Sequence, residues 1–197
     1  MNDIYVPTFI PRLDDFIGGG FPRQAISLVS GDLSIVKKTV GVSARAGKVV
    51  VWLKSSTGVP DLMAILERAD LVVILDIGRF LPPPPPDSGL AAETRQVSRL
   101  GREIQRKLRD FPKSAAVVLI DPPKTLELSY LSALTLDILP NEDFGPGALH
   151  VGVKKNRNGD QGAVNLSSDE LKLNIAFPPD PKPLKSSWER LVEGIGV

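Results

Sequence analysis

Short apolar runs alternate along the chain with stretches in which apolar residues recur every three or four positions. The runs predict strands at 25–30, 48–54, 71–76 and 115–120, rich in Val, Ile and Leu as strands buried on both faces are. The helical period predicts a short helix with Leu13, Phe16 and Ile17 on one face, then helices over about 35–45, 59–69 and 91–111. Pro60 falls in the first turn of its helix, where a missing N–H is harmless. From Tyr130 to Leu139 the pattern is ambiguous, but Leu134, Leu136 and Ile138 alternate, which predicts a strand from about Ala133. The runs at 149–153 and 163–166 flank a glycine-bearing connection and read as a hairpin, with a last strand at 171–177. This order predicts an α/β domain with a mainly parallel sheet and antiparallel strands at one edge.

Punctuation sets the organisation. Gly18-Gly19-Gly20 stops the first helix, so 1–24 reads as a lead-in to a single domain over 1–177. Pro82 to Pro86 predict a stiff extended loop. Pro178 to Pro183 predict a linker to a tail, 178–197, that ends in a short amphipathic turn bearing Trp188, Leu191 and Val192.

Composition narrows the chemistry. The chain has 197 residues and no cysteine, which excludes disulfides, thiolate metal sites and a cysteine nucleophile. Its single histidine, His150, argues against a histidine metal cluster or a Ser-His triad, and no metal site is expected. No run approaches the roughly 18 apolar residues of a membrane span, and Met-Asn-Asp-Ile-Tyr lacks the regions of a signal peptide. A cytoplasmic protein without membrane contact is expected. The formal net charge of +1 means that any basic surface must come from local clustering.

After the run at 25–30 comes Gly31-Asp-Leu-Ser-Ile-Val-Lys-Lys-Thr39, in the register of a phosphate-binding loop, G-x-x-x-x-G-K-[ST]. Gly31 and Lys37 are in place. Val36 stands at the second glycine, Ser34 at another position where a glycine is usual, and Lys38 at the Mg²⁺-binding hydroxyl. As plain helix residues, Lys37 and Lys38 would be solvated in a first turn.

Pro7-Thr8-Phe9-Ile10-Pro11-Arg12-Leu13-Asp14, Gly18-Gly19-Gly20-Phe21-Pro22 and the strand ending Ser30-Gly31 together resemble the opening of RecA/RadA/KaiC-type ATPases. Lys155-Asn156-Arg157-Asn158-Gly159 with Gly162 and Leu166 resembles that superfamily's Lys-x-Arg hairpin, as found in DnaB-type replicative helicases. The resemblance spans about 7–177 and implies a RecA-like three-layer fold. It also implies a vestigial nucleotide site at Gly31, Lys37, Lys38 and Thr39, with Asp76 matching the Walker B acid. The family's catalytic glutamate would fall near Lys54-Ser55-Ser56, where there is no acid. A degenerate, non-hydrolysing paralogue is therefore expected. No cofactor is expected, and weak ATP binding through Lys37 is left open.

Three groups are candidate binding elements. Arg95, Arg99, Arg102, Arg106 and Arg109 share one stripe of the 91–111 helix, opposite Val97, Leu100, Ile104, Leu108 and Phe111. With no acids interleaved on the stripe, the row is expected to track phosphates of single- or double-stranded DNA, or to meet an acidic partner. Lys154, Lys155 and Arg157 form a basic hairpin tip that the resemblance implies reaches across a subunit interface. Trp188 and Leu191 are expected to anchor the tail on a neighbour. Asp121 closes a strand without a visible partner, and His150 is expected to be structural. The expected function is an accessory in DNA recombination or repair that binds DNA, an active RecA-family ATPase or copies of itself. The alternatives are a protein-assembly subunit, as in Elongator-like rings or KaiC-like signalling, and a weak, unorthodox ATPase.

Overall fold

The computed structural model describes residues 4–53, 59–81, 89–111, 115–123 and 125–172. A two-stranded antiparallel ribbon, β1 (Tyr5–Val6) and β2 (Phe21–Pro22), brackets α1 (Pro11–Ile17), whose Leu13 and Ile17 are buried. The chain then runs β3 (Ile26–Gly31), α2 (Ser34–Arg45), β4 (Val50–Leu53), α3 (Val59–Arg68) and β5 (Leu71–Ile74). A 3-10 turn (Ile77–Phe80) follows, then α4 (Gly89–Asp110), β6 (Ala116–Ile120), α5 (Leu126–Leu131) and β7 (Leu134–Pro140). A second 3-10 turn (Glu142–Phe144), β8 (Leu149–Asn156), β9 (Gly162–Leu166) and α6 (Ser168–Leu171) complete the described chain.

The main sheet has the order β4-β5-β6-β3-β7-β8-β9. Strands β4, β5, β6, β3 and β7 run parallel, and β8 and β9 add antiparallel pairs beyond β7. This is the sheet that the alternation of runs and stripes predicts. Leu71, Val72, Val73 and Ile74 of β5 are all fully buried, the environment that selects a continuous apolar strand.

Helices cover both faces. Ile35, Val36 and Val40 of α2 pack with α1 residues and Val29 on one side. Leu62 and Ile65 of α3, Val97, Leu100 and Ile104 of α4, and Leu128 of α5 pack with Ile26 and Leu28 on the other. Gly101 sets how closely α5 lies on α4, because a Cβ there would come within 2.7 Å of the Leu128 side chain. Among the described residues, no helix is long and apolar enough to cross a membrane.

The C-terminal end departs from expectation. In place of a strand beginning at Leu171, Ser167 and Glu170 form a capping box that seeds α6. The Ser167 N–H donates to Glu170 Oε2 at 2.8 Å, and the Glu170 N–H returns to Ser167 Oγ at 3.4 Å. The rest of that run, the proline loop at 82–86, and the tail with Trp188 and Leu191 lie outside the described residues, as does the expected domain boundary at 177.

Candidate functional site

The carboxyl ends of parallel strands are where open α/β sheets bind ligands, and the loop after β3 lies there. Gly31 adopts φ +92°, and a Cβ on it would sit 2.0 Å from the Ile138 carbonyl oxygen of β7, so only glycine fits. Past Gly31 the chain does not form an open cradle. Helix α2 begins at Ser34, early in the motif. Val36 is fully buried in the core beneath α2, so its side chain packs the domain at the point where a glycine would expose backbone.

Four N–H groups of this turn are bonded within the protein. Gly31 N–H donates to Asp121 Oδ1 at 3.1 Å and Asp32 N–H to the Ile138 carbonyl at 2.9 Å. Ser34 N–H donates to Asp32 Oδ1 at 2.7 Å and Lys37 N–H to the Leu33 carbonyl at 2.8 Å. Asp121 thus has a partner that its position in the sequence does not disclose. It sits at the end of β6, the strand beside β3, in the left-handed region at φ 42°. Asp76 lies beyond β5, one strand further out, and its Oδ1 accepts the Gly78 N–H at 3.0 Å to cap a 3-10 turn. The strand there ends at Ile74, short of Asp76.

The lysines diverge. Lys37 is exposed on α2. Lys38 is buried, which corrects the expectation of a solvated first-turn residue. Its Nζ donates to the Glu170 carbonyl and, at 3.4 Å, to the Lys172 carbonyl, so it holds the end of α6 against α2. Burial lowers its pKa, against the opposing pull of Glu170 and Asp14. Thr39 is fully buried, and its hydroxyl donates to the Ile35 carbonyl at 2.9 Å.

On the other face, the five arginines of α4 are all exposed, with Val97, Leu100, Ile104 and Leu108 buried beneath them. The row is not free of acids, which corrects the sequence reading. Arg99 Nε pairs with Glu103 at 3.2 Å on its own helix, and Arg102 pairs with Glu127 of α5 at 3.1 Å. Arg95, Arg106 and Arg109 have no ion pair among the described residues. An open groove of about 610 Å³ runs between α4 and α5, lined by Arg95, Ser98, Arg99, Arg102 and Leu126 among others.

Helix α5, which the sequence pattern leaves unassigned, is held at both ends. The Thr125 hydroxyl accepts the Leu128 N–H at 3.0 Å. At its C-terminus, Lys155 Nζ donates to the carbonyls of Ser129 (2.5 Å) and Tyr130 (2.9 Å), and Arg157 donates to Tyr130 at 2.7 Å. Two cations thus satisfy the last carbonyls of a helix and meet the negative end of its dipole. Burial and the neighbouring Arg157 charge lower the Lys155 pKa. The structure therefore engages Lys155 and Arg157 within their own chain, whereas Lys154 is exposed. His150 Nδ1 lies 2.8 Å from Asn165 Oδ1, a cross-strand pair between β8 and β9.

No protein-family model matches the chain, and no curated protein does. Solved structures do. A DnaB-like replicative helicase, described with its interactions with primase, superposes with a TM-score of 0.65 at 13% identity. The match covers 85% of this chain and 60% of the helicase, so the chain spans less than two thirds of that protein. An ATPase domain matches with the same TM-score and identity over 87% of this chain and 91% of its own length. The fold is RecA-like, with a mainly parallel central sheet and an antiparallel edge.

Proposed function

We propose that this chain is a non-hydrolysing RecA-like paralogue, an accessory in DNA recombination or repair that works by binding DNA, an active RecA-family ATPase, or both. The observation that carries the reading is the loop after β3, four of whose N–H groups are bonded within the protein. A phosphate cradle needs backbone N–H groups aimed at the ligand. Here those of Gly31, Asp32, Ser34 and Lys37 are bonded to groups of the protein itself. Two of these acceptors are the carboxylates of Asp32 and Asp121, placed where a phosphate would have to approach. Each carboxylate opposes a phosphate charge by about 1 kcal/mol at 4 Å in water, and by more where water is displaced. The residue at the metal-binding position, Lys38, is cationic and turned under α6. These residues do not fit a magnesium–nucleoside triphosphate. The likeness to ATPase domains is one of fold, and the loop chemistry is where this chain differs.

Titrating the isolated protein with labelled ATP and with labelled DNA tests the reading. The expected result is no saturable ATP binding at millimolar nucleotide, with DNA binding that weakens steeply with salt if the arginines meet phosphates directly. Tight Mg²⁺-dependent ATP binding would overturn it. A protein-assembly role without DNA is favoured by one observation, the exposure of Leu126 and Tyr130 on α5.

A further inference from the structure

Leu126 of α5 belongs to the same surface as the arginines of α4, and Tyr130 follows it one helical turn on, beside Lys155. Leu126 is 93% exposed and Tyr130 78% exposed, one helical turn apart and so on one face. Leu126 also lines the groove with Arg95, Arg99 and Arg102. The anchoring of α5 makes this display fixed. Thr125 caps one end, Lys155 and Arg157 clamp the other, and Leu128 seats against Gly101 on the inner side. Six residues would not hold a helix alone; these contacts hold this one with two large apolar groups in water.

The arginines recur at spacings of four, three, four and three, which keeps them in line along α4. From Arg95 to Arg109 the row runs about 21 Å. The surface is therefore a cationic rail beside a short apolar step. We infer that this α4–α5 face docks an acidic amphipathic helix of a partner protein, with its carboxylates on the arginine row and its apolar residues over Leu126 and Tyr130. The inference deepens the proposed function by naming the partner class of the arginine face, and it rests on that reading only in taking binding as the activity.

Two observations favour a protein over nucleic acid. An aliphatic side chain as exposed as Leu126 has nothing to gain from a phosphate backbone, yet offers an apolar anchor to a protein. Moreover, Glu103 and Glu127 stand on the rail, paired with Arg99 and Arg102. A uniform row of phosphates would meet both acids. A helix can place its acids opposite Arg95, Arg106 and Arg109 and leave the paired arginines alone.

The probe is a fluorescein-labelled acidic helical peptide of about 14 residues, with glutamates spaced to match the row and leucines flanking them. A labelled oligothymidylate of about 16 nucleotides is measured in parallel. The variants are Leu126→Ser with Tyr130→Ser, and Arg95→Ala with Arg106→Ala. All four residues are exposed, so urea midpoints should match the wild type. The peptide should bind the wild type and lose at least ~10-fold in affinity in each double variant, and it should outcompete the oligonucleotide. No peptide binding at millimolar concentration overturns the inference. Equal peptide binding by the Leu126/Tyr130 variant overturns it as well, since charge alone would then suffice. Tighter binding of the oligonucleotide, displacing the peptide, makes the face a nucleic-acid surface instead. ATP turnover in the same preparation would overturn the non-hydrolysing reading and leave the peptide result standing.

Discussion

Replacing Lys38 with methionine should detach α6 from α2 without disturbing the core beneath. Methionine keeps most of the buried stem and removes the ammonium that bonds the Glu170 and Lys172 carbonyls. A hydrogen bond to a charged group contributes roughly 1.5–3 kcal/mol. The second bond, at 3.4 Å, adds little, and the burial that lowers the lysine pKa offsets most of the first. The net loss expected is about 1 kcal/mol or less, read as a lower urea midpoint at unchanged slope. Amide exchange at Glu170 to Lys172 should quicken by more than the global change. The pH dependence carries a second signature. A lysine whose folded pKa is lowered binds its proton less well folded than unfolded, so stability rises with pH between the folded value and the ordinary lysine value. The wild type should show this alkaline gain and Lys38→Met should lack it. An unchanged midpoint together with unchanged exchange at α6 would refute the tether. Lys38→Thr, which supplies the missing hydroxyl, should lose the same stability and still fail to bind Mg²⁺–ATP, because Asp32, Asp121 and the helical start of α2 remain.

Ser34→Gly, Val36→Gly and Lys38→Thr together should improve nucleotide binding before any turnover appears, and should destabilise the domain. Val36→Gly alone should cost about 3 kcal/mol, as a core side chain and a helical residue are lost together, measured by urea unfolding. Arg23 bonds Asp70 at 2.6 Å. Burial alone would raise the Asp70 pKa, but the hydrogen bonds from Arg23 and the Val49 N–H outweigh it and lower it. Its contribution is therefore present above the ordinary aspartate pKa and lost as pH falls through the lowered folded value; Arg23→Ala should remove about 2 kcal/mol at neutral pH and flatten the acid limb of stability against pH. Gly101→Leu should push Leu128 and α5 away from α4, at about 1–3 kcal/mol, and reduce acidic-peptide binding; full stability with unchanged binding would contradict the packing described.

Strands β5 and β6 were legible because burial on both faces leaves only Val, Ile, Leu and Ala in each run, and β3 and β4 because most of their positions are apolar as well. Helix α4 was legible from its period, and its arginine face follows from the apolar side opposite. Helix α5 was not, because six residues with Leu126 turned to solvent break the amphipathic pattern that marks a helix. At α6 the Ser167–Glu170 capping box was present in the sequence, but the alternation of Leu171, Leu173 and Ile175 gave a competing strand signal. The chemistry of the loop was half legible. Missing glycines are visible in a sequence, whereas the Asp121–Gly31 bond depends on β6 lying beside β3, and the burial of Lys38 depends on an element more than a hundred residues away. The pairing of Arg102 with Glu127 is likewise a product of how α5 is seated, so an arginine row that reads as free is partly neutralised.

Steady-state turnover of Mg²⁺–ATP by the purified wild type, beside Lys37→Ala, tests the central claim most directly. The account predicts that both proteins release phosphate only at the background rate. Turnover by the wild type that Lys37→Ala abolishes would show that the loop after β3 cradles a triphosphate after all, and would contradict the account.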